Sequence, residues 1–229
     1  MASGDEGDRM STPTTAPPRL DPWEMALIHR LIRRGFEQAR EFVMAVPAGA
    51  TDRAAAVAEY AEFHLDGLHA HHSSEDELIW PALRERASLS GALITRMEDQ
   101  HARVHAAIER ARELLPRWAA APAAESSSAL ASAVAAIVDR LAEHLAEEER
   151  DVVPLIATHV TQAEWEHLGK VSFSKFTPRQ RFTAMGEMLE AASPQEAARM
   201  LAGLPPPIRI IWRLFGHRKY QRFMAAVRG

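Results

Sequence analysis

Two stretches of this chain carry one pattern on what reads as helix. In HHSSEDELIWP, residues 71–81, a histidine is followed by a carboxylate four residues later, then an apolar pair, then a proline ten residues after the histidine. HLAEEERDVVP, residues 144–154, repeats it. Residues four apart on an α-helix differ by roughly 40° in direction and face the same way. His71 and Glu75 therefore share a face, as do His144 and Glu148. A helical fold that turns those faces inward must find partners for them, because an unpaired carboxylate in a bundle core costs several kcal/mol.

The rest of the chain reads as helix too. Ala, Leu, Glu and Arg dominate, and few segments alternate with the period of a strand. DPWE at 21–24 reads as a helix start, with Asp21 as the cap, and that helix runs to about Val46 before Pro47 and Gly49 stop it. Thr51 caps a second helix, which passes Pro81. SLSGA near 88–92 opens a third, fading by Pro122, and ESSS at 125–128 opens a fourth, ending near Thr158. Four long helices with short connections predict an antiparallel bundle. Capping boxes at TQAE 161–164, TPRQ 177–180 and SPQE 193–196 open shorter helices, the first closing near Gly169.

The bundle is expected to be an internal repeat. Met25 and His29 match Met97 and His101, while His71 matches His144; His29 to His71 and His101 to His144 span 42 and 43 residues, so the two hairpins are nearly the same length. His101 and His105, in HARVH, again share a helix face. Each helix thus offers one or two inward ligands. Imidazole with carboxylate and no thiolate suits iron, manganese or zinc. Any single His–Glu pair is more often a solvated contact; four helices offering ligands in a repeat of matched length favour a metal site.

This order of residues, His29, His71-x-x-x-Glu75, His101-x-x-x-His105 and His144 followed by Glu148-Glu149, resembles the hemerythrin-like (HHE cation-binding) domain family. The resemblance covers about residues 21–158. It implies an all-α fold, an up-down-up-down four-helix bundle around a non-haem di-iron centre bridged by an oxo or hydroxo group. It implies His101, His105 and His144 on one iron, His29 and His71 on the other, and Glu75 with a fourth-helix carboxylate between them. Residues 1–20 then form a disordered lead-in and 159–229 a basic helical C-terminal extension.

Three positions test that register. Well-known hemerythrins carry an Asp five residues after the last His, whereas both the fourth and fifth positions here are Glu. The repeat favours Glu148; Glu149 would need a widened turn to swing inward. His72 and Asp76 form an equally spaced pair, but aligning Pro81 with Pro154 sets His72 against Leu145, so His72 is expected to flank the site. His105 corresponds to Arg33, so one iron gains three imidazoles and the other two, leaving an open position suited to dioxygen, peroxide or nitric oxide. His64 is expected as a polar core neighbour, and His69, His159, His167 and His217 as exposed or tail residues.

The chain has no cysteine, which excludes disulfides, zinc–thiolate sites and thiol nucleophiles and fits a reducing, cytoplasmic setting. No apolar run approaches a membrane span. Residues 170–229 carry 11 Lys and Arg against three Glu, while the preceding residues carry 16 against 28 Asp and Glu. No DNA-reading motif accompanies that charge, so no nucleic-acid partner is expected. The segment from Ile208 to Val227 reads as a basic aromatic helix, with Ile208, Ile211, Trp212 and Phe215 expected to dock on the acidic bundle. The alternative is attachment to a membrane surface or a protein partner. The function expected is binding of dioxygen or a related small oxidant for carriage, storage or sensing. The alternatives are an enzyme that decomposes peroxide or reduces nitric oxide, and an iron-homeostasis protein without redox turnover.

Overall fold

The computed structural model describes residues 19–87 and 90–229. Residues 1–18 of the expected lead-in, and part of the expected helix start near 88–92, lie outside them. Among the described residues there are helices and no strand. The long elements are α1 (Trp23–Ala45), α2 (Thr51–Ser74), α4 (Gly91–Ala120) and α5 (Ala124–Glu147). α2 continues through a π-helical turn (Glu75–Ile79) into α3 (Trp80–Arg86), and α5 through a second π turn (Glu148–Val152) into α6 (Val153–His159). Then follow α7 (Gln162–Ser174), α8 (Pro178–Ala191), α9 (Pro194–Gly203) and α10 (Pro206–Ile211). A third π turn (Trp212–Gly216) leads into α11 (His217–Arg228).

α1 packs on α2 and α5, and α4 packs on the same two, so the four long helices close a ring. The Gly49 N–H, in a turn with φ +78°, donates to the Pro122 carbonyl at 2.9 Å and ties the α1–α2 loop to the α4–α5 loop. A stripe of buried residues spaced three and four apart runs along each helix. In α4 it is Ile94, Met97, His101, Val104, Ile108, Ala111, Leu115 and Trp118, with Gln100 and Ala107 buried beside it. In α1 it is Met25, His29, Ile32, Phe36, Ala39 and Val43, with Leu27 and Gly35 buried beside it. This is the seam of an interdigitated bundle. Histidines and glutamates interrupt it at one level. Above and below that level the apolar residues form two separate clusters, with Met25, Ile79 and Met97 in one and Ile32, Leu68 and Val104 in the other.

Both π turns have a cause in the sequence. Pro81 and Pro154 lack the N–H that an α-helix would use, and their rings crowd the preceding turn. One residue earlier, the Trp80 N–H bonds to Glu75 O and the Val153 N–H to Glu148 O, five residues back. The duplicated proline thus places a widened turn directly after each inward glutamate.

Several local expectations needed correction. Asp21 does not cap α1; it pairs with Arg199 at 2.8 Å, and the helix begins at Trp23 without a side-chain cap. Thr51 is the first residue of α2, not its cap. α7 runs past Gly169 to Ser174. The boxes at Thr161, Thr177 and Ser193 are formed as expected.

The C-terminal helices share the bundle's core. Trp212, Tyr220, Met224 and Val227 belong to the same apolar cluster as Phe36 and Tyr60. Ile208, Ile211 and Phe215, expected to dock, are 45%, 43% and 66% exposed; the buried face of this segment is the one that carries Trp212 and Gly216. Tyr220 lies across Gly186, where a Cβ would sit 2.3 Å from its ring, and its hydroxyl donates to Glu187 Oε1 at 2.7 Å. Gly186→Ala gains ~1 kcal/mol of helix propensity but forces this ring aside, at ~1–3 kcal/mol. The clash wins because the ring is fully buried. The expected outcome is a thermal midpoint lower by a few degrees, read by circular dichroism, with metal content unchanged. A raised midpoint would show that α11 does not lock onto the bundle here.

Candidate metal centre

The seam positions that are not apolar are His29 on α1, His72 and Glu75 on α2 and its π turn, His101 on α4, and His144 and Glu148 on α5 and its π turn. All six are buried. His71 sits beside the seam with a side chain 10% exposed. Ligand atoms of His72, His101 and His144 lie within 4.8 Å of one another, as do those of His29, His71 and Glu148. The two carboxylates run between the groups. Glu75 lies 3.4 Å from His71 Nε2 and 3.6 Å from His101 Nε2, and Glu148 lies 3.3 Å from His29 Nε2 and 3.6 Å from His144 Nε2.

The imidazoles are oriented from behind. His29 Nδ1 bonds to Glu149 Oε1 at 2.9 Å, His101 Nδ1 to Asp76 Oδ1 at 2.8 Å and His144 Nδ1 to Gln100 Oε1 at 3.0 Å. An acceptor on Nδ1 makes it the N–H donor and leaves the Nε2 lone pair pointing inward. The acceptors are held in turn. The Trp80 indole N–H donates to Asp76, the Gln100 amide and Arg96 donate to Glu147, and Arg33 pairs with Glu149 at 2.9 Å. In the centre, Nε2 of His29, His71, His72, His101 and His144 and both oxygens of Glu75 and Glu148 are buried without any hydrogen-bond partner. Buried polar atoms are normally satisfied. Five nitrogens and four oxygens left bare at one level fit a bound cation, and the donor set of imidazole and carboxylate fits a first-row transition metal.

Six of the seven residues expected at the site converge there: His29, His71, Glu75, His101, His144 and Glu148. His105 does not. It is exposed on α4 and faces His69, with ring centroids 5.4 Å apart. The buried stripe of α4 steps from His101 to Val104 to Ile108 and turns His105 outward. His72, expected only to flank the site, lies inside it, its ring stacked 4.0 Å from His101. The signal was in the chain: His72 falls four residues after Leu68 and three before Glu75, on the buried spacing of α2. Glu148 is fully buried and Glu149 is a partly exposed partner of His29, in the order the repeat favoured.

Without a cation the site is electrostatically uneven. Burial pushes His71 down to about 3 and His144 down to about 4, and holds His72 well below the usual imidazole range. Burial would lower His29 too, but Glu148 and Glu149 outweigh it and raise it. Burial and the neighbouring Glu148 raise Glu75. Burial pushes Glu148 the same way, yet the surrounding imidazoles, His29 first, hold it below the usual carboxylate range. Two carboxylates this close divide the roles of acid and base.

His64, outside the site, is pushed down to about 3 by burial and by Arg34. Between pH 6.5 and those values, His64, His71 and His144 take up protons in the unfolded chain and refuse them in the fold. The unfolded state holds more protons there, so stability is full above pH 6.5 and falls on acidification, by ~1.4 kcal/mol per pH unit for each histidine. His72, also lowered, adds to this, while His29, Glu75 and Glu187, which the fold raises, oppose it. Urea midpoints of metal-free protein should drop between pH 6.5 and 4, where the lowered histidines outnumber the raised groups. Midpoints unchanged over that window would mean that these imidazoles are not buried neutral.

The Hemerythrin HHE cation binding domain family matches residues 23–156. No curated protein and no solved structure matches the chain. The matched span begins at α1, ends within α6 and contains every residue of the buried polar level, so the chain belongs to the hemerythrin HHE cation-binding family.

Proposed function

We propose that this is a non-haem di-iron protein in an up-down-up-down bundle, which takes dioxygen or a related small oxidant at an open coordination position for carriage, storage or sensing. The observation that carries the reading is the set of inward, unpartnered Nε2 and carboxylate oxygen atoms at one level of the bundle. His72, His101 and His144 hold one iron, His29 and His71 the other, with Glu75 and Glu148 shared between them. Iron there would supply Lewis acidity and reversible one-electron chemistry. The chain supplies the rest. Asp76, Gln100 and Glu149 fix the imidazole tautomers, and Leu141 and Leu145, both buried, keep water from the α5 side.

The open position lies on the His29–His71 side, because the position that corresponds to His72 carries Leu145, which is buried and brings no ligand. Turnover of peroxide or nitric oxide would need a proton donor beside it. Of the candidates Tyr60, His64 and His72, the Tyr60 hydroxyl donates to Gln38, burial and Arg34 push His64 down to about 3 and so keep it from acting as an acid near neutral pH, and His72 is part of the metal set. That favours reversible binding over the enzymatic reading.

Protein expressed with ample iron should hold two iron atoms per chain. His72→Ala and Glu148→Ala should each lower that content far more than His105→Ala and Glu149→Ala. Metal analysis measures it, and loss of metal in His105→Ala with none in His72→Ala would reverse the assignment. Azide added to the oxidised protein should give a new charge-transfer band. Two irons without an azide band would remove the open position.

The exposed segment supports a location for this activity. Ile208, Ile210, Ile211, Leu214 and Phe215 are each 43–66% exposed, and Arg209, Arg213, Arg218 and Arg222 form no ion pair among the described residues. Apolar side chains flanked by free cations suit the surface of an anionic membrane. No helix of the described residues is long and apolar enough to cross one. Leu214→Glu with Phe215→Glu should abolish co-sedimentation with phosphatidylglycerol vesicles. Absence of binding by the unaltered chain, or equal binding to phosphatidylcholine, would sink this attachment.

A further inference from the structure

Beside the metal level, α7 and α8 roof a cavity of about 320 Å³ against α1 and α2. Its walls are chiefly apolar, with Ile28, Ile32 and Leu68 from the bundle and Leu168, Phe176 and Met188 from the extension. Three ionisable side chains line its inner part: His64, His71 and Glu75. His64 and His71 are separated by about 10 Å, two turns of α2. Nε2 of each is buried and unpartnered, as are both Glu75 oxygens. The polar lining residues that are exposed or half-buried, Glu24, Gln162, Glu166 and Ser172, mark its opening. The roof comes from residues beyond the 23–156 family match, so it belongs to this chain's own extension.

His64 is placed on purpose by the backbone. A Cβ on Gly35 would lie 2.1 Å from its ring, so only glycine on α1 admits an imidazole here. A buried histidine with a bare ring nitrogen at the side of an apolar cavity is costly unless something meets it. Glu187 Oε2 is near but at 3.8 Å, too far for a hydrogen bond.

We propose that this cavity binds a neutral, largely apolar organic molecule of about a dozen non-hydrogen atoms, aromatic or short aliphatic, carrying one hydroxyl or amino group. Size follows from volume: an apolar cavity of roughly 150 Å³ holds benzene, and this one is about twice that. Neutrality follows from charge. Glu24 and Glu166 at the opening repel an anion, and apolar walls make a cation's desolvation costly. The polar group meets the free nitrogen of His64. That the molecule lies beside the open position of an iron rests on the di-iron reading; that the cavity binds it does not.

The test uses the full chain, iron-loaded, titrated with 1-aminonaphthalene while its emission is recorded. Saturable binding with a blue shift is expected, and 1-naphthoate, its anionic counterpart in size, should bind at least tenfold more weakly. Gly67 lines the cavity, and a Cβ there would meet only the Phe176 ring at ordinary contact, 3.5 Å. Gly67→Leu should therefore fill the space and weaken the probe tenfold or more, with helix and metal content unchanged. Ser172→Trp, which blocks the opening, gives the same readout if Gly67→Leu does not fold. No saturable binding, equal binding of naphthoate, or binding indifferent to both substitutions overturns the proposal. Metal content measured on the same samples separates the two readings. A chain without iron that binds the probe refutes the centre alone, and an iron-loaded chain that does not bind it refutes the cavity alone.

Discussion

The rest of the structure answers to one constraint: five imidazoles and two carboxylates buried at a single level of a helical bundle. Each buried group stripped of water costs on the order of 2–7 kcal/mol when nothing meets it. An apolar core cannot absorb several such terms, since a whole domain is stable by only ~5–15 kcal/mol. The protein lessens the cost by pushing His71 and His144 far down through burial, which favours their neutral forms, and by shifting its two carboxyls in opposite directions, Glu75 up and Glu148 down. What it does not provide is any protein partner for the inward atoms. A cation is the group that satisfies them all at once, so metal binding and folding are coupled here.

That level is positioned by helix periodicity. The spacing of three and four residues that buries Val104 and Ile108 also buries His101, and it sends His105 to the surface beside His69. Much of this was legible in the chain. The doubled His–Glu–Pro pattern pointed to His71, Glu75, His144 and Glu148, and the repeat added His29 and His101; the structure brings these six together. It places His72 among them and His105 outside them for a definite reason. Residues four apart share a face only approximately, and matching the two hairpins says which residues correspond, not which side of each helix is buried. His72 corresponds to Leu145, and both are buried; correspondence was taken for exclusion when it meant only that the same inward position carries leucine in one hairpin and histidine in the other. The π turns had a visible marker, the prolines at 81 and 154, but a widened turn has no residue preference strong enough to predict from one chain.

The extension was less legible because its burial is set by tertiary contact and not by its own pattern. Ile208, Ile211 and Phe215 look as apolar as Tyr220, Met224 and Val227, yet only the second set meets the bundle. The difference lies in close approaches that glycine permits. Gly186 lets the Tyr220 ring onto α8, and Gly216 lies 2.5 Å, by the position a Cβ would take, from the Trp212 ring. Above that contact the chain has no small residue to admit a neighbour, and its large side chains remain in solvent.

The asymmetry of the site and the placement of the extension reinforce each other. His72, His101 and His144 gather on one side and His29 and His71 on the other, three imidazoles against two. His105 in place of His72 would have given the same count. The cavity roofed by α7 and α8 reaches His71 and Glu75, not His101 or His144. The opposite side is closed by stacked His72 and His101 and by Trp80 packed against His101 at 5.7 Å. Helices that merely stabilised the bundle could have covered any face of it. These cover the His29–His71 side, and they do so while leaving space. A bundle alone would expose that side to water, whereas a roof packed tightly onto Ile28 and Leu68 would bar every ligand from it. An apolar cavity between those extremes favours small neutral molecules over ions, because apolar walls make the desolvation of a charge costly. On the proposed di-iron reading, the extension acts on the site by deciding what reaches it.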